Sequence, residues 1–446
     1  MNLPKQVLCV LTTLAFTGLT AKAQKVDFTE YDLPNGLHVV LHDDHHAPVV
    51  AVTVMYHVGS KNEEAGRTGF AHFFEHLLFE GSENIQRGQF MKIVSANGGQ
   101  NNANTTQDRT FYYEVFPSND LETGLWLESE RMMHPVINDI GVKTQDEVVK
   151  EEKRSSFDNR PYGNVINDIG DALFTKHPYH NGVIGAMKDI DAAKLSEFKD
   201  FFKLYYAPNN AVLTIAGDIN VAKTKELIAA YFGPIPRGNT VVYNKIEDDP
   251  ITKQITDTAY DANIQIPAIL AAYRVPGRAT RDSKVMEMIS NILSGGASSR
   301  MYKKMVDDKK DALQVFAFNY PLEDYGMYIV GALPSGGAAP ANLLSDMDEE
   351  IVKLQTDLIS REDYQKLQNQ FEDNFVSANT RMVGIAENLA NGYTFFHKDT
   401  NEVNEELATI RSITREEIRD AARKYLSTNQ RLVLYYLPGK AKNQVQ

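Results

Sequence analysis

The chain contains 446 residues, of which 43% are hydrophobic and 24% are charged, a composition typical of globular proteins with packed cores. One hydrophobic core rarely supports this length, so we expect two domains. The formal net charge of -13 argues against a nucleic-acid partner, because such proteins usually present a basic surface to phosphates.

The first residues have the pattern of an export signal. Lys5 supplies a positive charge, residues 7–19 are apolar, and Ala21-Lys22-Ala23 ends the segment with small residues. We expect cleavage after Ala23 and an exported protein, periplasmic or secreted, without membrane attachment afterwards. An uncleaved anchor is the alternative, although the apolar run is shorter than the roughly 20 residues that span a bilayer. Cys9 is the one cysteine, so the cleaved chain has no thiol.

A turn motif follows, in Leu33-Pro-Asn-Gly36 between two apolar runs. Asn-Gly is a strong signal for a tight hairpin, because both residues tolerate positive φ angles. The first domain is therefore expected to begin as a β-hairpin, with Asn35 and Gly36 supplying the positive φ angles of the turn.

Two long stretches of the chain repeat one order of predicted elements. Each has a strand, a polar loop and a helix near its start, and a charged helix followed by a strand at its end. These segments are residues 50–56, 72–79, a helix ending at Tyr206 and 211–216 in the first half, and residues 269–273, 285–293, a helix ending at Tyr425 and 431–436 in the second. The matching order and spacing predict an α+β fold with two homologous domains, each an antiparallel-rich sheet packed with helices.

The domain limits follow from this repeat and from a turn-rich segment at residues 232–238, which continues as an acidic stretch to Pro250. We expect a signal peptide at 1–23, a first domain at 24–236, a linker at 237–252 and a second domain at 253–446.

The strongest chemical signal lies in Gly69-Phe-Ala-His-Phe-Phe-Glu-His-Leu-Leu-Phe79. On a helix, His72 and His76 lie one turn apart on the same face, so both imidazoles can reach one metal ion, and zinc accepts this geometry. Glu75 lies beside them, where it can take a proton from a metal-activated water. The alternative is a pair of core or capping histidines with an ion-paired glutamate, but burying these groups unpaired would be costly. The cluster His42-Asp-Asp-His-His46 is interpreted as a solvated connection between strands.

In this segment the sequence resembles the insulinase/pitrilysin metallopeptidases, whose zinc-binding helix carries an inverted HxxEH motif. The resemblance covers essentially the whole mature chain. Further segments that carry it are Gly98-Gly-Gln-Asn-Asn-Ala-Asn-Thr105 with Tyr112-Tyr113, Val148-Val-Lys-Glu-Glu-Lys153, His177-Pro-Tyr179 with Val183-Ile-Gly185, and Ser298-Ser-Arg-Met-Tyr302.

This resemblance implies a zinc endopeptidase with one Zn2+ per chain. Its third ligand is expected to be Glu152, the second glutamate of the adjacent pair, and Glu151 is then a solvated or neighbouring carboxylate. The extended peptide substrate is expected to lie along a strand at Asn102 and Ala103, although Asn102 could also be an ordinary strand-end residue. The second domain is expected to be non-catalytic.

The sequence departs from the family in the second domain. Active members usually carry an arginine there and a tyrosine seven residues later, whereas this chain has Val306 and Leu313. We therefore expect a homologous partner subunit to supply that pair in a heterodimer, with a homodimer as the alternative. A catalytically silent or partner-dependent peptide-binding subunit, and a zinc hydrolase of non-peptide substrates, are the competing functions.

Overall fold

The computed structural model describes residues 25–439, so the expected signal peptide lies outside the described residues. Within residues 25–439, no helix is long and apolar enough to cross a membrane. The strands are β1 (Thr29–Asp32), β2 (His38–Asp43), β3 (Val49–Tyr56), β4 (Gln100–Thr105), β5 (Thr110–Pro117), β6 (Ala211–Gly217), β7 (Ile255–Asp261), β8 (Ala268–Pro276), β9 (Ala312–Pro321), β10 (Tyr325–Pro334) and β11 (Arg431–Pro438).

Helices surround these strands in both halves of the chain. They are α1 (Phe70–Leu77), α2 (Phe90–Ala96), α3 (Leu121–Met133), α4 (Asp139–Glu152), α5 (Val165–Leu173), α6 (Met187–Ala192), α7 (Leu195–Tyr205), α8 (Val221–Phe232), α9 (Arg281–Ser294), α10 (Pro340–Thr356), α11 (Arg361–Ala378), α12 (Met382–Phe395), α13 (Glu402–Ser412) and α14 (Arg415–Tyr425).

The strands form two sheets with matching topology. The first has the order β1-β2-β6-β3-β5-β4, and the second has the order β7-β11-β8-β10-β9. In the first sheet β6 runs parallel to β2 and antiparallel to β3, and β11 has the same relation to β7 and β8. Tyr56 lies opposite Ala211, and Tyr273 lies opposite Arg431. This topology confirms the predicted α+β fold with two homologous, mostly antiparallel units.

Each sheet is buried on both faces, and one of the covering helices comes from the other half of the chain. Strands such as β3 and β6 are apolar along almost their whole length, which is typical of strands covered on both sides. Helices of the first half pack on one face of the first sheet, where they form its main core. Its other face packs against α12, which belongs to the second half, through Leu389 and Ala390. Conversely, α5 of the first half packs on the second sheet through Ile169 and Leu173.

The first hairpin forms as predicted, but its turn differs from the predicted one. Strands β1 and β2 pair in an antiparallel register, and positive φ occurs at Gly36 but not at Asn35. The Asn35 amide instead donates hydrogen bonds to the carbonyls of Phe232 and Ile235, at 2.8 and 2.9 Å. The prediction of positive φ at Asn35 was therefore wrong, because a long-range contact fixes this side chain and the loop is longer than a two-residue turn.

The connection between the halves, residues 233–254, runs from the end of α8 to the start of β7 without a helix or strand of its own. It agrees in position with the turn-rich, acidic segment of the sequence. The exact domain limits at 236 and 252 stay a prediction.

Candidate metal centre

The candidate site is built on α1, whose start is fixed by a buried carboxylate. Gly69 precedes the helix with a φ of 91°, and a Cβ there would lie 2.6 Å from the carbonyl oxygen of Ile184. The Glu63 carboxylate accepts hydrogen bonds from the N–H groups of Gly69 and Ala71, at 2.7 and 2.9 Å. These are amides that a helix start leaves without intrahelical partners. Burial raises the pKa of Glu63 to about 8, against the effect of these hydrogen bonds.

Two tyrosines and a set of aromatic rings hold α1 against the first sheet and α7. The hydroxyl of Tyr112, on β5, donates to the carbonyl of Phe74 at 2.9 Å, and that of Tyr206 donates to Ala71 at 3.3 Å. The ring of Phe70 stacks on Phe198 with centroids 4.6 Å apart. This packing buries the apolar face of α1 and turns His72 and His76 towards α4.

Three potential metal ligands converge between α1 and α4. The imidazole rings of His72 and His76 lie 4.8 Å apart between centroids. Their Nε2 atoms lie 3.6 and 3.0 Å from Glu152 Oε2. Within residues 25–439, this is the one group of three His, Cys, Asp or Glu side chains whose ligand atoms all lie within 4.8 Å of one another.

The geometry and the donor set both suit zinc. Ligand atoms about 2.0–2.2 Å from a tetrahedral zinc lie roughly 3.3–3.6 Å apart. The distances of 3.6 and 3.0 Å from the two imidazoles to Glu152 are close to this spacing. Two imidazole nitrogens and one carboxylate oxygen also match a catalytic zinc site with an open fourth position. Hydrogen bonds and charge from His72 and His76 hold the pKa of Glu152 far below its usual value, so this carboxylate is an anion. The neighbouring Glu151 is exposed and pairs instead with Arg154 at 3.0 Å.

Glu75 lies on the same helix and has a defined partner across the site. The hydroxyl of Thr105, the last residue of β4, donates to Glu75 Oε2 at 2.7 Å. The sequence interpretation did not assign Thr105 to the site. A signal was present, because Thr105 lies two residues after Ala103 and side chains two apart in a strand share a face.

The two predicted substrate-binding residues lie on β4, at the edge of the first sheet. Within the described chain, β4 has β5 as its single neighbour strand. Asn102 is exposed, Ala103 is buried, and the Ala103 N–H donates to Asn102 Oδ1 at 2.9 Å. The N–H and C=O groups of Ala103 face away from β5, since Thr106 bonds to Arg109 across the turn and outward groups alternate along the strand. This edge can accept an additional strand.

The other residues that the sequence analysis singled out do not belong to this cluster of ligands. His42 is buried on β2 and bonds the carbonyl of Asp27 at 2.6 Å, so the interpretation as a solvated connection was wrong for this residue. His45 and His46 are exposed and pair with separate carboxylates, of Asp218 at 2.5 Å and of Asp44 at 2.6 Å. In the second half, Leu313 is 53% exposed on β9, whereas Val306 packs against the core of that half.

Comparison with known proteins also finds a two-domain fold of this kind. Residues 38–187 match the insulinase (peptidase family M16) domain, and residues 192–371 match the domain described as the peptidase M16 inactive domain. A zinc protease, PqqE of Helicobacter pylori, is 31% identical over 77% of this chain and 78% of its own length. The chain belongs to the insulinase family, peptidase family M16, as the sequence resemblance predicted.

Solved structures agree with this assignment. The crystal structure of a protease from Helicobacter pylori superposes with a TM-score of 0.87 at 27% identity, over 92% of this chain and 100% of that one. The periplasmic protease PqqL of Escherichia coli shares the fold, with a TM-score of 0.75 at 17% identity, over 94% of this chain and 48% of that one.

Proposed function

We propose that this chain is a zinc-dependent endopeptidase that hydrolyses peptides or unfolded polypeptides. The observation that carries the proposal is the convergence of His72, His76 and Glu152 beside Glu75 and a free sheet edge. One zinc per chain, held by these three ligands, would polarise the peptide carbonyl and lower the pKa of a water molecule to about 7. Relatives named zinc proteases support the same chemistry.

Within this site, Glu75 is the general base and then the general acid. Its carboxylate takes a proton from the attacking water and passes the proton to the leaving amine. Thr105 holds one carboxylate oxygen by its hydrogen bond, which leaves the other oxygen free for the water. A side chain fixed in this way loses little entropy when the reaction begins.

The substrate is bound as an added strand along β4. An extended peptide can pair with the outward N–H and C=O groups of Ala103, while its side chains point alternately to the two faces of the sheet. The Asn102 side chain, which bonds the Ala103 N–H in this structure, would then turn to the incoming backbone. Backbone pairing of this kind favours unfolded segments over folded domains.

Replacing Glu75 with glutamine tests the base directly. Glu75→Gln should retain zinc, because the three ligands are unchanged. Its rate of peptide hydrolysis should fall by a factor of at least about 100. Metal content is measured by atomic absorption and activity with an unstructured peptide library. Glu151→Gln is the matched control, since Glu151 is exposed and pairs with Arg154. Full activity in Glu75→Gln would exclude the assigned role.

A homologous partner subunit is part of the proposal. Val306 and Leu313 lack the hydrogen-bond donors that the resemblance leads us to expect for substrate binding, so a partner supplies an arginine and a tyrosine in a heterodimer. A homodimer using other contacts is the alternative arrangement. If the purified single chain cleaves peptides as fast alone as with a homologous neighbour, the heterodimer is excluded.

The second candidate function is a catalytically silent or partner-dependent peptide-binding subunit. The match of residues 192–371 to a domain described as inactive is the observation in its favour. A silent subunit would bind an unfolded peptide without cleaving it, even when zinc-loaded and mixed with its partner. A partner-dependent subunit would bind the peptide alone and take part in its cleavage only with its partner. We also propose export by cleavage after Ala23, in keeping with a periplasmic relative of the same fold. N-terminal sequencing of the mature protein should begin at Gln24.

A further inference from the structure

The turns of the two equivalent hairpins meet between the halves of the molecule. In the first half, residues 106–109 join β4 to β5, and in the second half residues 322–324 join β9 to β10. The Glu323 N–H donates to Asp108 Oδ2 at 2.8 Å, and the Tyr320 hydroxyl donates to Gln107 Oε1 at 3.2 Å. The second half therefore bonds directly to the turn that ends the proposed substrate strand.

Asp108 is the centre of this contact, where it accepts two hydrogen bonds and pairs with a lysine. Its side chain is fully buried. Besides the Glu323 N–H on Oδ2, its Oδ1 accepts from the Tyr179 hydroxyl at 2.5 Å and lies 3.2 Å from Lys61 Nζ. The Tyr179 oxygen in turn accepts the Asp324 N–H at 3.1 Å. The His177-Pro-Tyr179 motif, which had no predicted role, thus belongs to this contact.

Charged and titratable side chains surround the contact. Lys61, whose side chain is almost fully buried, lies 2.6 Å from Glu323 and 3.2 Å from Asp324. His57 bonds Glu323 at 2.7 Å, and His177 bonds Asp324 at 3.2 Å. Although burial opposes it, the pKa of Asp324 falls to about 2 because His177 and Lys61 stabilise the anion. Buried charges of this kind are costly to leave unpaired, so loss of one member disturbs the rest.

The contact is connected to the proposed catalytic groups through Thr105. The turn that Asp108 holds begins at Thr106, directly after Thr105, whose hydroxyl fixes Glu75. Backbone bonds tie the same turn to the loop before α1, from Ser60 N–H to Thr106 O and from Lys61 N–H to Gln107 O. Since β5 is the one strand that pairs with β4 in the described sheet, this turn helps to set the position of the end of β4.

We propose that the second domain positions the catalytic machinery of the first: Glu323 and Asp324 hold Asp108 and Lys61, and Asp108 thereby sets Thr105 and the Glu75 carboxylate. Asp108 is a positioning residue for the proposed peptidase reaction, and the inference rests on that function. It gives the non-catalytic domain a role that needs no metal motif of its own.

The test compares Asp108→Asn with a control of similar chemistry. Every neighbour of the Asp108 carboxylate is a donor, so an asparagine must turn its amino group towards one of them. We expect kcat to fall at least about tenfold, because small displacements of catalytic groups cost large factors, while zinc content stays unchanged. The control is Asp348→Asn, which weakens a charged pair with the buried Arg431 in the second half. If the two variants lose stability equally and also lose kcat equally, Asp108 has only a structural role and the proposal fails.

A double variant tests the route through Thr105. Thr105→Val should lower kcat by itself, and adding Asp108→Asn should lower it little further, because both changes release the same carboxylate. If the factors by which the two single substitutions lower kcat multiply in the double variant, the proposal is overturned. Should Asp108→Asn fail to fold, Tyr179→Phe removes two bonds of the same contact without turning a donor towards a donor, and the same comparisons apply.

Hydrogen exchange separates this inference from the proposed function. Faster exchange of the amides at residues 104–109 is expected in Asp108→Asn but not in Asp348→Asn, whether or not the protein cleaves peptides. Unchanged exchange there contradicts the positioning role. Absence of hydrolysis in the zinc-loaded wild type, alone and with a homologous partner, contradicts the peptidase function instead.

Discussion

Because each half covers one face of the other half's sheet with a helix, we expect the protein to unfold as one unit. The substitution Leu389→Ala tests this prediction. Leu389 belongs to α12 in the second half, but its fully buried side chain packs in one cluster with Val40, Met55 and Val212 of the first sheet. Truncating a buried leucine to alanine costs about 3–5 kcal/mol. With an unfolding entropy of about 2.1 cal/mol/K per residue over roughly 400 residues, Tm should fall by about 4–6 °C.

Calorimetry gives Tm, and a zinc-sensitive dye reports release of metal from the first half during the same temperature ramp. In Leu389→Ala, we expect a single calorimetric transition, and both this transition and the release of zinc should move to a lower temperature by the same amount. Leu354→Ala is the matched control, because Leu354 is equally buried but lies in the second half's own core. If the halves unfold together, this control also moves zinc release. Two resolved transitions, or zinc release at the wild-type temperature in either variant, would refute the interlocked arrangement.

Two further predictions concern pH and metal. Burial raises the pKa of Asp168, on α5, to about 6, so the folded state binds its proton more tightly than the unfolded chain. Stability should therefore fall as pH rises from about 4 to 6, and Asp168→Asn should flatten that part of the curve of Tm against pH; an unchanged curve would contradict the assignment. If the proposed zinc site is correct, removing zinc with a chelator should abolish hydrolysis and lower Tm, because the ion would link α1 to α4 through Glu152. Zinc alone should restore both, and recovery without added metal would exclude zinc.

Local patterns could be predicted from the sequence because their causes are local. His72 and His76 lie four residues apart, so any helix brings them together. The matching order of elements in the two halves likewise predicted the duplicated fold, since each sheet is built from segments in the same order. Glu152 was different: it lies on another helix beside Glu151, and resemblance to a family, not spacing alone, favoured it.

Contacts between distant segments could not be predicted in this way. The apolar run of β3 indicates burial on both faces but does not say that α12 covers one of them. The Asn35 amide bonds carbonyls near residue 235, which overrides the turn preference of the Asn-Gly pair. The meeting of Asp108 with Glu323 joins two hairpin turns more than 200 residues apart, as the separation of 215 positions shows. Such pairings depend on how the sheets pack, and polar residues in turns carry no sequence signal for them.

Restoring the missing pair tests whether a partner completes the site. Leu313 is largely exposed, so Leu313→Tyr should fold normally, whereas Val306 packs against the core and Val306→Arg should cost some stability. If substrate binding lacks only these two groups, the double variant should lower KM for an unstructured peptide in the single chain and reduce its dependence on a homologous subunit. Leu313→Phe with Val306→Arg is the control, because it adds the ring without the hydroxyl. An unchanged KM in the double variant, with zinc bound and the fold intact, would mean that the missing contacts lie elsewhere.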